Sequence, residues 1–462
     1  MRIFNKSFMA LLMASAVMLA SCQKEISGTD EPVDPPTNPG DVSLADKIKD
    51  TTLLFTKDIY LWYNQIPSGF NPRTYADPDK IMTAIRQYSK EPGFTDPVDR
   101  WSFAVKQQQW DDISSGIAGD FGVNIFFRAE GDLRVRYVEQ GSPAGKAGVR
   151  RGWRITKLNG SSNITTGNAN AIVEAVYNSS NTSFEFQKPD GSTEAINLAV
   201  ASYQQDPIFL DTVYTVNTTR VGYLVFNSFL GDTSQINNSF QRIFTRFAAE
   251  NVKDVIVDLR YNGGGYVSVQ ATLANYLVKP AASGGLMMKE EFNVKYKDWN
   301  ESINFKKLGS LDPARLFFIV SDNTASASEL LINNLKPYAE VKLAGPSPTY
   351  GKPVGYFPIP VGDWYIFPVS FRSTNKDGQG NYFDGIALDS RSADGLDKDW
   401  GDVQESSLAN VLNYIATGDF IPLSRQRTTE PATQVIRENK IFSDRSFKGA
   451  IIRTRTMKKQ DL

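Results

Sequence analysis

From Leu44 onward, Leu44, Ile48, Thr52, Phe55, Ile59 and Trp62 recur at helical spacing, so the spacing predicts an amphipathic helix. The stretch DPDKIMTAIRQYSK predicts a second one, with Asp77 or Asp79 placed to cap its start. With TDPVDRWSFA at its end, residues 44–112 read as a small, mainly helical region. The period then changes. Over 115–202 short alternating runs (GVNIFF, LRVRYV, SFEFQK) are separated by Gly, Asn and Asp turns, which predicts a small β-domain. Over 205–420 strands and helices alternate. RVGYLVFNSF reads as a strand, and TSQINNSFQRIFTRFAAEN as a helix with Ile236, Phe240, Ile243 and Phe247 on one face. VKDVIVDLR is nearly all apolar, as a strand covered on both faces requires. VSVQATLANYLV and ASELLINNL read as helices with the strand RLFFIVSD between them, so this part is an α/β layer domain.

The two ends differ from the middle. Arg2 and Lys6 precede the apolar run FMALLMASAVMLA, which is short for a membrane span and suits a signal peptide. LASC, Leu19 to Cys22, resembles a bacterial lipobox, in which residues 1–22 end at a cysteine that is lipidated; the alternatives are a plain signal peptide with a chance cysteine, or an uncleaved anchor. Cys22 is the only cysteine of the chain, so no thiol remains for a disulfide, a metal or a nucleophile. Residues 23–43 are rich in Pro, Gly and acid and read as a tether. The expected location is the cell envelope, held to a membrane by the N-terminal lipid. Gln23 rather than Asp follows the cysteine, which favours the outer membrane, on its periplasmic face or at the cell surface. Residues 421–462 read as a solvated basic tail, with ten Lys or Arg against four Asp or Glu from 424 on. A net charge of −1 gives no reason to expect nucleic acid.

The chain has no histidine. A Ser-His-Asp triad is therefore excluded, and the commonest zinc ligand is missing. Three stretches still point to chemistry. DLRYNGGGY, Asp258 to Tyr266, follows a buried strand; its glycines either serve a tight turn or leave backbone amides open to a ligand. In NTASASELL, Ser326 precedes Glu329 by three residues, the spacing of a capping box. Ser326 is a helix cap, a nucleophile at a helix N-terminus, or both. In TYGKPVGYF, Lys352 has an apolar and aromatic setting, so it either snorkels from a loop or is desolvated into a neutral general base.

Two resemblances follow. QGSPAGKAGVRRGWRITKLNG, Gln140 to Gly160, resembles PDZ domains, with Pro143 opening a short helix that Gly148 closes. The resemblance implies a peptide groove beside GVNIFF, with the amides near Phe121, Gly122 and Val123 holding a terminal carboxylate. VDLRYNGGG, TASASELL and TYGKPVG, in that order behind a PDZ domain, resemble the S41 peptidases, the tail-specific or C-terminal processing proteases, and specifically a branch of Bacteroidetes-type lipoproteins. DPVDRWSF and YFDGIALD extend the likeness over roughly 95–415. It implies a ClpP/crotonase-like core of ββα units with an inserted PDZ domain. It also implies a serine endopeptidase acting on proteins or peptides with exposed C-termini, with Ser326 as nucleophile, Lys352 as base and the amides of Gly264 and Ala327 as oxyanion donors. No cofactor or metal is implied. The family often has a glutamine four residues after the lysine; here Tyr356 stands there, and the hydroxyl of Tyr356 or Tyr350 is the candidate to orient Lys352. The rival is a catalytically inert peptide- or ligand-binding protein of the same fold.

Overall fold

A computed structural model describes residues 42–422 and 447–452. The expected signal peptide, Cys22 and nearly all of the tether lie outside the described residues. Helix α1 (Leu44–Ile59) and helix α2 (Pro78–Ile85) form where the spacing predicts them. Asp77 caps α2 by accepting from the Lys80 amide, and Pro78 opens it where no intrahelical donor is needed. This region is not a free-standing unit. Its strand β1 (Phe103–Lys106) pairs antiparallel with Trp364–Phe367, some 260 residues on, and Ile81 and Ile85 share one apolar core with Phe226 and Phe240.

The helix Gln107–Ser115 ends at Gly116, whose φ of 73° lets the chain turn into Ile117–Asp120. That segment pairs with Ala201–Gln204, so the next unit leaves and re-enters the core side by side. It is a five-stranded antiparallel sheet in chain order: β2 (Val123–Ala129), β3 (Asp132–Val138), β4 (Arg154–Leu158), β5 (Asn181–Gln187) and β6 (Thr193–Ala199). The alternating residues Ile125, Phe127, Leu133, Val135, Phe184 and Phe186 point to its own core. Ser142 caps the short helix Pro143–Lys146 as its sequence requires.

The main sheet holds β7 (Ile208–Val216), β8 (Thr219–Phe226) and β9 (Asp254–Asp258). It continues with β11 (Arg315–Ile319), β12 (Glu340–Gly345) and the short strand Ser390–Arg391. From one edge the order is Ser390–Arg391, β12, β11, β9, β8, β7, parallel except for β7. Strand β10 (Gly264–Tyr266) lies outside this sheet, in the loop after β9. Both faces are covered, which explains the unbroken apolar strands. Val255, Val257, Leu316 and Phe318 face α3 (Thr233–Ala249), α4 (Val267–Leu277) and α5 (Ala327–Leu335). Ile256, Phe317 and Ile319 face Leu408, Val411 and Ile415 of α6 (Ser406–Thr417).

One expectation is corrected. The segment after 421 is not solvated throughout. Strand β14 (Gly449–Ile451) pairs parallel with β10 and bridges to Tyr356, just beyond β13 (Val354–Gly355). Four small or apolar residues, Gly449 to Ile452, supply the reason: Ala450 and Ile451 are buried in the main core.

Candidate active site

Three loops meet at the carboxyl ends of parallel strands, where sites of α/β sheets form. The glycine loop follows β9, Ser326 follows β11 and Lys352 follows β12. Ser326 is buried and has φ 58°, ψ −107°. Among the described residues the other positive-φ positions are all Asn or Gly. A serine held there marks a strained turn of the kind found at functional sites, costing about 1–3 kcal/mol. Among the described residues its hydroxyl has no hydrogen-bond partner. The capping box is thus half made. Glu329 accepts from the Ser326 amide at 2.7 Å, while the Ser326 Oγ stays out of the cap.

Glu329 does more than cap. Its Oε2 also accepts from the Lys352 amide at 2.8 Å. Its Oε1 accepts from the Gly351 amide at 2.7 Å and from Thr349 Oγ1 at 2.6 Å. The carboxylate therefore joins the serine turn to the lysine loop. Burial raises its pKa, and these donors pull it back.

Lys352 is buried, and burial holds its ammonium well below the usual lysine range, against the opposing pull of Asp99 and Glu329. Asp99 is itself fixed by Tyr60 Oη at 2.7 Å and Ser102 Oγ at 2.6 Å. Lys352 Nζ lies 3.7 Å from the ring centroid of Tyr356 and 5.8 Å from that of Trp101. It donates to the backbone oxygen of Lys448 at 2.9 Å, not to Ser326. Tyr356 thus meets Lys352 with its ring face; its hydroxyl donates to the same Lys448 oxygen at 2.9 Å.

The glycine loop also differs from expectation at one atom. The Gly264 amide donates to Asn262 Oδ1 at 2.9 Å, two residues back, so it is satisfied within its own turn. Asn262 is held by donating to the Phe226 carbonyl at 2.9 Å, and its own carbonyl accepts from the Ala325 amide at 3.1 Å. Ala327 opens α5, where an amide has no intrahelical acceptor.

Comparison with known proteins bears on this arrangement. Residues 220–391 match the model of Peptidase family S41, and residues 56–103 match that of the Peptidase S41 N-terminal domain. The first stretch contains Ser326 and Lys352, the second Tyr60 and Asp99. Over these stretches the chain is similar to peptidase family S41. It is 26% identical over 321 residues to a "Probable CtpA-like serine protease" of Staphylococcus aureus (strain N315), covering 66% of this chain and 62% of that one. It is 24% identical over 292 residues to the "Carboxy-terminal processing protease CtpA" of Bacillus subtilis (strain 168), covering 63% and 58%. The chain therefore spans about three fifths of the length of these relatives. Its fold matches the crystal structure of a candidate S41 protease of Bacteroides fragilis NCTC 9343, with TM-score 0.66 and 21% identity, covering 83% of this chain and 99% of the other.

The five-stranded unit touches the glycine loop through buried charge. Arg151 pairs with Asp394 at 2.7 Å, donates to Tyr261 Oη at 2.7 Å and lies over the Trp400 ring at 4.2 Å. Arg260, at the start of the glycine loop, pairs with Asp258 at 2.6 Å, Glu405 at 2.7 Å and Asp394 at 3.1 Å. Strand β2 lies at one edge of its sheet, and its Ile125 amide donates to Tyr177 Oη at 3.2 Å. In the loop expected to hold a carboxylate, one of the three amides already has a carboxylate of this chain as its partner. The Gly122 amide donates to Asp120 Oδ1 at 2.7 Å, Phe121 and Val123 are buried in the unit's core, and Asp120 would repel a second anion.

The structure brings Ser326, Lys352, Ala327 and the glycine loop together as neighbours. Sequence reasoning missed the linking role of Glu329, the hold of Asn262 on Gly264, the charge of Asp99 and the Lys448 carbonyl. The capping-box spacing was the only signal for the first, and Asn two residues before Gly264 the only one for the second.

Proposed function

We propose that the chain is a serine endopeptidase that uses Ser326 and Lys352 as a dyad. The observation that carries this reading is the pair of amides, Ser326 and Lys352, on one Glu329 oxygen, with an unbonded serine hydroxyl and a desolvated lysine beside it. A neutral Lys352 Nζ takes the Ser326 Oγ proton as the oxygen attacks the scissile carbonyl. The tetrahedral oxyanion is met by the Ala327 amide and by the glycine loop once Gly264 leaves Asn262; each such donor is worth about 3 kcal/mol. The C–N bond breaks, and Nζ returns the proton to the leaving amine. Water then attacks the acyl-enzyme, with Lys352 again taking and returning the proton.

In this reading the substrates are unfolded protein segments of the cell envelope. The PDZ-like unit presents the edge of β2 to an extended peptide, with main-chain hydrogen bonds supplying affinity. The core repeats the ββα spiral of its wider fold group, and Cys22 carries a lipid that tethers the enzyme to the outer membrane. Metabolic labelling with an alkynyl fatty acid, lost in Cys22→Ser, tests the anchor.

The second reading, an inert binding protein, is favoured by one observation: Lys352 Nζ is turned to Lys448 and not to Ser326. Labelling with a fluorophosphonate separates the two. An active dyad gives a covalent adduct on Ser326 that disappears in Ser326→Ala, together with cleavage of an unfolded reporter. No adduct and no cleavage by the native chain would leave the binding reading.

A further inference from the structure

The three glycines of the glycine loop meet another stretch of the same chain. A Cβ on Gly263 would run into the Phe447 carbonyl oxygen, and one on Gly264 into that of Gly449. The Gly449 amide donates to the Gly263 carbonyl at 2.9 Å, which continues the β10–β14 ladder. On its other side the segment bonds to the lysine loop. Lys448 O accepts from Lys352 Nζ and Tyr356 Oη, each at 2.9 Å. The Tyr356 amide donates to Ala450 O at 3.0 Å, and the Ile452 amide to Tyr356 O at 3.2 Å. The Phe447 ring sits among Trp110, Phe103 and Tyr356, with centroids 5.4, 6.3 and 6.4 Å away.

An extended stretch bonded through its backbone on both sides, to the candidate oxyanion loop and to the candidate base, is placed as a peptide substrate would be. We propose that Phe447–Ile452 occupies the substrate groove of its own peptidase core and keeps it closed, and that substrates enter on the same track. This rests on the peptidase reading above. The groove then selects an extended peptide with an aromatic residue in the Phe103–Trp110–Tyr356 pocket. It also selects a very small residue two positions later, because a Cβ on Gly449 would strike Tyr356 Oη and the Phe447 ring. While the segment is seated, the Lys448 carbonyl holds the Lys352 Nζ hydrogen bond that Ser326 Oγ needs.

The test uses full-length chains and a fluorescein-labelled hexapeptide of sequence FKGAII, residues 447–452. Gly449→Val is expected to unseat the segment by collision with Tyr356, and Phe447→Ala by emptying the aromatic pocket. Both variants should bind the peptide at least tenfold more tightly than the native chain by fluorescence anisotropy, and should cleave an unfolded reporter at least tenfold faster. A peptide carrying Ala in place of its Phe should bind at least tenfold more weakly. If neither variant binds the peptide better than the native chain does, the inference is overturned, whatever the cleavage rates. If both variants lose their cooperative thermal transition, the segment is a fixed part of the core and the inference is again overturned. Should Gly449→Val alone fail to fold, Phe447→Ala decides. Tight peptide binding by the variants with no cleavage by any form would support the groove assignment and refute the peptidase reading.

Discussion

Ser326 and Lys352 meet on one atom: both backbone amides donate to Glu329 Oε2, at 2.7 and 2.8 Å. A glutamate that looks like a helix cap thereby fixes the spacing between two loops that follow different strands.

Glu329→Gln should therefore hurt more than the loss of a cap. The amide has one acceptor oxygen where the carboxylate serves four donors, so at least one buried N–H loses its partner. The expected cost is about 2–3 kcal/mol in denaturant unfolding. Reporter cleavage should fall at least tenfold in kcat with KM nearly unchanged. Wild-type kcat in this variant would reduce Glu329 to a cap.

Ser326→Ala should abolish cleavage at almost no cost in stability, because the hydroxyl makes no hydrogen bond to lose. A working cap would have cost about 1 kcal/mol. Ser326→Gly should also be inactive but more stable than Ser326→Ala by about 1 kcal/mol, since glycine accepts the positive φ without strain. Urea unfolding of the two variants side by side checks the order.

Lys352 has a folded-state pKa depressed by burial. Its sign follows: the unfolded chain binds the proton more readily, so stability is lost as pH falls from about 10.5 through the folded pKa. Lys352→Met should remove that slope and raise the melting temperature at neutral pH by about 2 °C or more, while abolishing cleavage. Native activity should rise with pH through the depressed pKa and then level, and no step can belong to imidazole because the chain has no histidine. Lys352→Arg should be inactive, since guanidinium keeps its proton. Appreciable cleavage by that variant would end the dyad mechanism.

Glu139 behaves in the opposite sense. Burial, with Asp120 and Asp206 nearby, pushes its carboxyl up to about 8. The folded chain keeps the proton, so the stability it contributes is full below about pH 4.5 and is lost as pH rises through about 8. Glu139→Gln should flatten this part of the profile and raise the melting temperature at pH 8.5 but not at pH 4. An equal effect at both pH values would show that its carboxyl does not titrate in this window.

Much of this fold is legible in the sequence because its signals are local. Ile236, Phe240, Ile243 and Phe247 mark the buried face of α3 by period alone, and the unbroken apolar run in β9 announces a sheet covered twice. Apart from the local Asn262–Gly264 turn, the losses are contacts between distant stretches. No local pattern pairs Phe103–Lys106 with Trp364–Phe367. Gly449–Ile451 is too short for a period and is flanked by basic residues, so charge dominated its reading. Glu329 shows its bond to Ser326 by spacing three, but its bonds to residues 349–352 cross more than a turn of loop that no periodicity describes. In the sequence Tyr356 offers a hydroxyl, but its ring face is what Lys352 meets.

The five-stranded unit hangs on a handle, the paired strands Ile117–Asp120 and Ala201–Gln204, and is braced against the core by Tyr137 and Arg151. A twist of that handle breaks no connection of the chain, yet it drags Arg151, which is clamped between Tyr261, Trp400 and Asp394. Tyr261 stands two residues before Gly263. Cutting the lever with Arg151→Met should cost about 3 kcal/mol by stranding buried charge and should leave the unit 123–199 open to a protease that spares the core. Tyr261 gears the two parts together: any shift of Arg151 reaches the glycine loop through one buried hydrogen bond.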